Sequence, residues 1–246
     1  MRSVLSGAET VGRSTASTQE TGDDGMSENI NLVQRRRAQL QSAVGGLGKL
    51  VIAALNQSVT CLSQHDLELA ERIIEGDAQI NQQRRVLEQE CLVTLAAYKP
   101  AGADLRAIGA CMELVSELER IGDYAADVAR ILRRAGETRF PSESVEAIVE
   151  VAADAIAMLG EALDAFTCGS DEQGARASIA REDQVDRNEQ AVMQRVLAMM
   201  RADPDFAATG TYLLWIVHNY ERVADRATNV AERAVYVACG ETLELG

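Results

Sequence analysis

The chain has 246 residues, of which 47% are hydrophobic but only 4% aromatic, and its formal net charge is −14. The scarcity of aromatic residues and prolines favours helices over strands, because β-rich domains depend on aromatic and β-branched residues. Nucleic acid and an anionic membrane surface would repel so acidic a chain, so we expect neither as a direct partner and a membrane only indirectly, through another protein.

The first predicted element is a disordered tail at residues 1–27. It is rich in Ser, Thr, Gly and acidic residues and poor in large hydrophobic ones, so it cannot bury enough apolar area to offset its ordering entropy. The start codon stays open between Met1 and Met26. Helical patterns then follow almost without a break, near residues 29–63, 65–98, 102–135, 142–169, 171–202 and 205–239.

Helix-capping residues and helix breakers separate these helices. Asp104 is predicted to cap the third helix. Gly136 follows that helix, and Asp203-Pro204 is a cap followed by a first-turn proline at the start of the last one. Gly240 is predicted to end it.

Targeting segments, cysteines and short motifs indicate where the protein resides and which chemistry it can carry out. The sequence shows no signal peptide and no stretch that approaches the ~20 apolar residues of a membrane-spanning helix. The five cysteines form no CxxC pair or disulfide framework, so we expect reduced thiols in a cytoplasmic protein. Phosphate-binding loops, dinucleotide-binding motifs and HExxH are absent.

The second half of the chain repeats the first. The matching landmarks recur at offsets of 102 to 105 residues: Glu119-Arg120-Ile121-Gly122-Asp123 with Glu221-Arg222-Val223-Ala224-Asp225, Pro100 with Pro204, and Ile80-Asn81 with Val185-Asp186. Three landmarks at nearly one spacing indicate an internal duplication. The predicted fold is therefore all-α, with two tandem three-helix bundles at residues 28–137 and 138–246.

Oxygen-bearing side chains recur four residues apart on four of these helices. Residues at that spacing lie on one face of a helix, and like charges there repel, which is unusual for a helix that needs only stability. The candidate metal ligands are Glu119, Asp123 and Asp127, then Glu221, Asp225 and Asn229, with Asp77, Asn81, Glu182 and Asp186 on the neighbouring helices. His218 precedes Glu221 by three residues and is a further candidate. Oxygen ligands converging from two helices suit magnesium, calcium, manganese, iron or zinc.

Two alternatives to a metal-binding role without catalysis stay open at this point. A single ExxxD pattern is usually a solvated face, so the chain could be a purely structural bundle, although two copies at equivalent places favour metal binding. The other alternative is a carboxylate-bridged metalloenzyme on a helical scaffold. The chain lacks the paired Glu-x-x-His of di-iron bundles, which argues against it.

Several of these segments resemble a known family, the PhoU phosphate-signalling regulators. The resemblance covers roughly residues 29–246. The segments that carry it are Ile74-Glu75-Gly76-Asp77 with Ile80-Asn81, the run from Tyr98 to Arg106, the run from Glu117 to Asp123, and the run from Glu221 to Glu232 followed by Tyr236-Val237 and Gly240.

The resemblance implies two three-helix bundles with carboxylate-lined sites for a divalent or multinuclear metal (iron, zinc, manganese or magnesium), held by the ten candidate ligands. It implies a cytoplasmic negative regulator rather than an enzyme, an adaptor between a phosphate ABC transporter, through its ATPase subunit, and a sensor histidine kinase. The sequence leaves the oligomeric state open, with a homodimer as one possibility.

The two sites are not expected to be equal. Arg130 stands at the position that matches Glu232, at an offset of 102 residues. Glu182 stands where the family commonly has Asp, and Asp183 beside it makes the register ambiguous. We therefore expect the second repeat to have the better metal site.

Overall fold

The computed structural model describes residues 20–168 and 171–240, and every regular element in these ranges is helical. Two 3-10 turns, Ile179–Arg181 and Pro204–Phe206, precede the last two α-helices. The α-helices are α1 (Glu20–Gln64), α2 (Leu67–Tyr98), α3 (Gly102–Ala135), α4 (Ser142–Thr167), α5 (Glu172–Ser178), α6 (Glu182–Ala202) and α7 (Ala207–Cys239).

The observed helices agree with the predicted ones to within two residues at most ends. The main difference is that α1 begins at Glu20, nine residues before the predicted start and inside the segment assigned to the tail. A helix that already exists gains a backbone hydrogen bond with each residue added, which favours such an extension. The rest of the predicted tail, residues 1–19, lies outside the described residues.

The fifth predicted helix, 171–202, is interrupted. It consists of α5, the 3-10 turn and α6. At the break, the buried Ser178 hydroxyl donates to the Ala175 carbonyl at 2.7 Å, a local bond that commonly bends helices. The interruption starts α6 at Glu182, one of the candidate ligands.

The helix ends follow capping rules, with one exception. Asp203 accepts a hydrogen bond from the Asp205 amide at 3.0 Å, and Gly240 ends α7 in the left-handed region, so both predictions are confirmed. The prediction that Asp104 caps α3 is wrong. The capping position is Ala101, which places Asp104 in the first turn, where its carboxylate pairs with Arg37 of α1 at 2.9 Å.

The seven helices form two bundles. α1, α2 and α3 make the first, and α4, α5, α6 and α7 make the second; α3 packs against α7 and α1 against α4. One continuous core joins them, with fully buried side chains from both repeats. The α3 and α7 helices run antiparallel, since Glu113 bonds Arg233, Glu117 bonds Arg226, and Tyr124 lies under Arg222.

A close helix crossing places the candidate ligands of the first repeat. Gly122 of α3 lies against Ile80 of α2, and a Cβ at Gly122 would come within 3.0 Å of the Ile80 side chain. A larger residue would push the helices apart. The glycine therefore allows α2 to bring Asp77 and Asn81 beside the acidic face of α3.

The expectation that no segment could cross a membrane has one weak exception among the described residues, the helix α1. By length and composition alone, Asn31–Gln64 is long and apolar enough to cross a membrane, and 33% of its apolar stretch is buried within the fold. The Val, Leu, Ala and Gly residues of α1 make the helix apolar, and three of its apolar side chains lie in the core: Leu47, Val51 and Leu55. A core helix and a membrane helix draw on the same residues.

Candidate metal centre

The candidate centre of the second repeat lies where α6 packs against α7. Val185 and Val192 of α6 are buried, as are Tyr220 and Val223 of α7, and these apolar stripes fix the rotation of both helices. The Thr228 hydroxyl of α7 also donates to the Glu182 carboxylate at 3.0 Å. The acidic faces beside the apolar stripes are thereby turned toward each other.

Five side chains from these two helices converge. Ligand atoms of Asp186, Glu221 and Asp225 lie within 4.8 Å of one another, and so do ligand atoms of Glu189, His218 and Glu221. Glu221 belongs to both groups and joins them. The set offers four carboxylates and one imidazole, which suits hard or borderline divalent cations.

The innermost ligands lie away from solvent. Glu189 is only 9% exposed, and its Oε1 lies 3.3 Å from His218 Nδ1. Glu221 Oε2 lies 3.1 Å from the same nitrogen but is buried without a hydrogen bond. A buried carboxylate oxygen that lacks a donor is costly unless a cation or a proton compensates it.

The pKa values in this cluster are shifted in the direction that mutual repulsion predicts. Burial raises the pKa of Glu221 to about 7, and the negative charges of Asp225 and Glu189 add to the effect. Burial and then Asp186 raise the pKa of Asp225, and burial also raises the pKa of Glu182. A bound cation would reverse these shifts, because it stabilises the ionised carboxylates.

The corresponding cluster of the first repeat contains arginines among its carboxylates. Arg130 lies 2.6 Å from Asp127 and 3.6 Å from Asp77, and Arg84 lies 3.8 Å from Glu119. Burial, followed by Glu119 and Asp77, raises the pKa of Asp123. Within the part of the chain that the structure describes, groups of three converging ligands occur only in the second repeat.

Two charge reversals distinguish the repeats, and the first of them changes a member of a converging group. Arg84 stands at the position that matches Glu189, at an offset of 105 residues, and Arg130 stands at the position that matches Glu232. In the first repeat a protein cation thus occupies the place that glutamate holds in the second. The two guanidinium groups partly neutralise Asp127, Asp77 and Glu119, while Asp77 Oδ1 stays buried without a hydrogen bond.

The structure brings together Asp186, Glu221 and Asp225 of the predicted ligands, with Glu182 beside them. Asp77, Glu119, Asp123 and Asp127 also face one another, and Asn81 donates to the Asp77 carboxylate at 3.3 Å. Asn229 is not among the converging ligands of the second repeat. Its amide donates instead to Glu117 of α3 at 3.3 Å, at the contact between the repeats.

Glu189 was not among the predicted ligands. It follows Asp186 by three residues and Glu182 by seven, which puts it on the same helix face. That spacing would have identified it.

A bundle that is duplicated within the chain, with a carboxylate-lined face in each half, defines the class of two-repeat helical-bundle proteins. The PhoU domain family matches the chain twice, over residues 44–132 and 148–234. These ranges lie within the two predicted repeats. The chain belongs to the PhoU family.

Relatives and solved structures agree with this assignment. A "phosphate-specific transport system accessory protein PhoU homolog" from Streptococcus pneumoniae is 32% identical and covers 84% of this chain and 95% of the relative. One from Pseudomonas aeruginosa is 34% identical over 88% of this chain and 90% of the relative. Crystal structures of PhoU from these organisms match with TM-scores of 0.79 and 0.77, at 29% and 31% identity over 87% and 85% of this chain and 100% and 99% of theirs.

Family membership decides between the functional hypotheses at a coarse level. The relatives are accessory proteins of phosphate-specific transport, and the chain has a role in the regulation of phosphate transport. The metalloenzyme alternative is not supported, because the family consists of regulatory proteins rather than enzymes.

Proposed function

We propose that this protein is a negative regulator of phosphate uptake and phosphate-starvation signalling. It acts in the cytoplasm as a metal-binding adaptor between a phosphate ABC transporter, through the ATPase subunit, and a sensor histidine kinase. The observation that carries the proposal is the match of both repeats to accessory proteins of phosphate-specific transport over most of the chain.

The metal-binding part of the proposal rests on the second repeat. Asp186, Glu221 and Asp225 supply oxygen ligands, and Glu189 with His218 extends the set on the side of Glu221. The metal is a divalent cation such as manganese, iron, zinc or magnesium, or a small cluster of such ions. Two groups that share one glutamate are compatible with a bridged pair of ions.

In this proposal the metal stabilises the second repeat through its charge and through its contacts with two helices. It neutralises carboxylates that repel one another and ties α6 to α7. Without it, the cluster must take up protons or tolerate repulsion, as the raised pKa of Glu221 indicates. Metal binding therefore rigidifies the second repeat.

Elemental analysis of two matched double variants tests the metal site. We expect Glu221→Ala with Asp225→Ala to remove most of the bound metal, and Glu119→Ala with Asp123→Ala at the equivalent positions to remove little. The reason is that Arg84 lies beside Glu119 in the first repeat, whereas the residue beside Glu221 in the second repeat is His218, which can itself bind a metal. Equal metal loss in both variants would contradict the assignment.

A deletion strain tests the regulatory role. Phosphate-responsive genes should be expressed in high phosphate when the gene is deleted, and the wild-type gene should restore repression. Continued repression without the protein would overturn the proposal. Complementation with the Glu221→Ala, Asp225→Ala variant then separates the regulatory role from its dependence on metal.

A further inference from the structure

A cleft between the two repeats borders both candidate ligand clusters, because Asp127 of the first and His218 of the second line it. It runs between the second half of α3 and the first half of α7, has a volume of about 330 Å³, and is open to solvent. We call it the inter-repeat cleft. It is lined by Asp127, Arg130, Ile131 and Arg134 of α3 and by Trp215, His218 and Asn219 of α7.

The other half of the contact between α3 and α7 is closed by ion pairs. There Arg233 lies 2.9 Å from Glu113. At the offset of 102 residues, Glu113 matches Trp215 and Arg233 matches Ile131. The inter-repeat cleft thus has an apolar pair where its counterpart has a salt bridge, and no bond spans the two helices at these positions.

Trp215 forms an exposed apolar wall of the cleft. It is the only tryptophan of the chain, and it is 46% exposed. Tyr212 packs edge to face against it, with ring centroids 6.1 Å apart. A tryptophan held in place by a neighbouring ring can accept a partner at little cost in side-chain entropy.

The rim of the cleft is positively charged in a chain whose net charge is −14. Asp127 neutralises Arg130 at 2.6 Å. Arg134 is exposed and makes no ion pair or hydrogen bond with any residue that the structure describes. An uncompensated guanidinium beside an exposed indole is suited to a partner that offers a carboxylate next to an apolar group.

We propose that the inter-repeat cleft docks a segment of a partner protein that inserts an apolar side chain against Trp215 and Ile131 and places an acidic side chain on Arg134. The proposal rests on the adaptor role stated above and assigns it a contact surface. A protein fits the site better than a small ligand, because an open cleft leaves a small ligand largely in water, whereas a partner covers the rim. Tryptophan and arginine are also the residue types most enriched at interface hot spots.

Binding measurements on full-length protein test this assignment. The probes are the purified ATPase subunit of the phosphate transporter and the cytoplasmic part of the sensor histidine kinase from the same organism. We expect Trp215→Ala and Arg134→Glu each to weaken binding of at least one probe by about ten-fold or more. Arg134→Lys keeps the charge and should weaken it less, and binding by the wild type should fall as salt rises.

Two controls match the size and charge of these changes. Val93→Ala removes an apolar side chain that is 51% exposed on α2, and Arg201→Glu reverses an exposed charge on α6. Both should leave binding unchanged. Circular dichroism of all variants should give the wild-type helix content, since Trp215 and Arg134 are exposed helix positions.

Each contrary outcome points to a different error. Unchanged binding by Trp215→Ala and Arg134→Glu overturns the docking site but leaves the adaptor role standing. Loss with Trp215→Ala alone overturns the acidic character of the partner. A self-association that Trp215→Ala abolishes, with partner binding intact, assigns the cleft to a second copy of this chain. Failure of the wild type to bind either probe overturns the adaptor role and the docking site together.

Discussion

Glu221→Gln tests whether the carboxylates of the second repeat repel one another in the metal-free protein. Burial and the neighbouring carboxylates raise the pKa of Glu221 from 4.5 to about 7, and its side chain is only 18% exposed. Between these pH values the folded protein binds more protons at this site than the unfolded chain. The free energy of unfolding of the wild type therefore falls as pH rises from 4.5 to 7 and levels off above 7.

Glutamine removes this titration. With one pKa unit worth about 1.4 kcal/mol, the variant should gain on the wild type by up to about 3 kcal/mol above pH 7. That gain corresponds to a rise in melting temperature of roughly 6–12 °C for a chain of this size. The two proteins should be nearly equal in stability at pH 4.5.

The assay is urea unfolding in the presence of a chelator at pH values from 4.5 to 8.5. Glu119→Gln is the matched control, because the Glu119 carboxylate faces Arg84 and its removal should bring no such gain. Added manganese should then stabilise the wild type more than Glu221→Gln, since a ligand stabilises the state that binds it. Parallel curves for wild type and Glu221→Gln across this pH range would refute the reasoning.

Three further predictions address the asymmetry of the repeats and the packing between helices. Arg84→Glu with Arg130→Glu gives the first repeat the glutamates of the second, so calorimetry should detect an additional metal-binding event; an unchanged stoichiometry would contradict it. Arg226→Ala leaves Glu117 of the other repeat without its guanidinium partner and should lower the free energy of unfolding in urea by about 1–3 kcal/mol; no change would show that this ion pair is not stabilising. Tyr220→Phe removes a fully buried hydroxyl that is hydrogen-bonded to α1 and should cost about 1 kcal/mol by thermal unfolding, so a stabilised variant would count against that bond.

Much of the fold was predictable because the duplication and the helix breakers are local features of the sequence. Gly136, Asp203-Pro204 and Gly240 fix helix ends through backbone conformation and capping, which act within one turn. The interruption near Ser178 was missed, because the helical pattern of polar and apolar residues continues across it.

The candidate site was predictable in part for the same reason. Glu221 and Asp225 lie on one helix face whatever packs against it, so spacing alone identifies them. The direction of the Asn229 amide depends on how α3 packs against α7. The spacing of residues along a single helix carries no information about that packing. Likewise, the contact of Arg84 with Glu119 joins residues 35 positions apart and requires the packing of α2 on α3.

The unequal contact between α3 and α7 also emerges only from the structure. Trp215 and Glu113 are equivalent in the duplication, yet they differ in the chemistry that they bring to the helix contact. The sequence alone does not tell which residues face one another across two repeats. Once the antiparallel arrangement is known, the comparison follows from the offset of 102 residues.

The proposed metal site of this protein lies in the second repeat and not in the first. Anomalous diffraction from crystals of the wild-type protein grown with manganese tests it most directly. We expect a strong anomalous peak enclosed by Asp186, Glu221 and Asp225. Absence of that peak, or a peak of equal height beside Glu119 and Asp123, would contradict it.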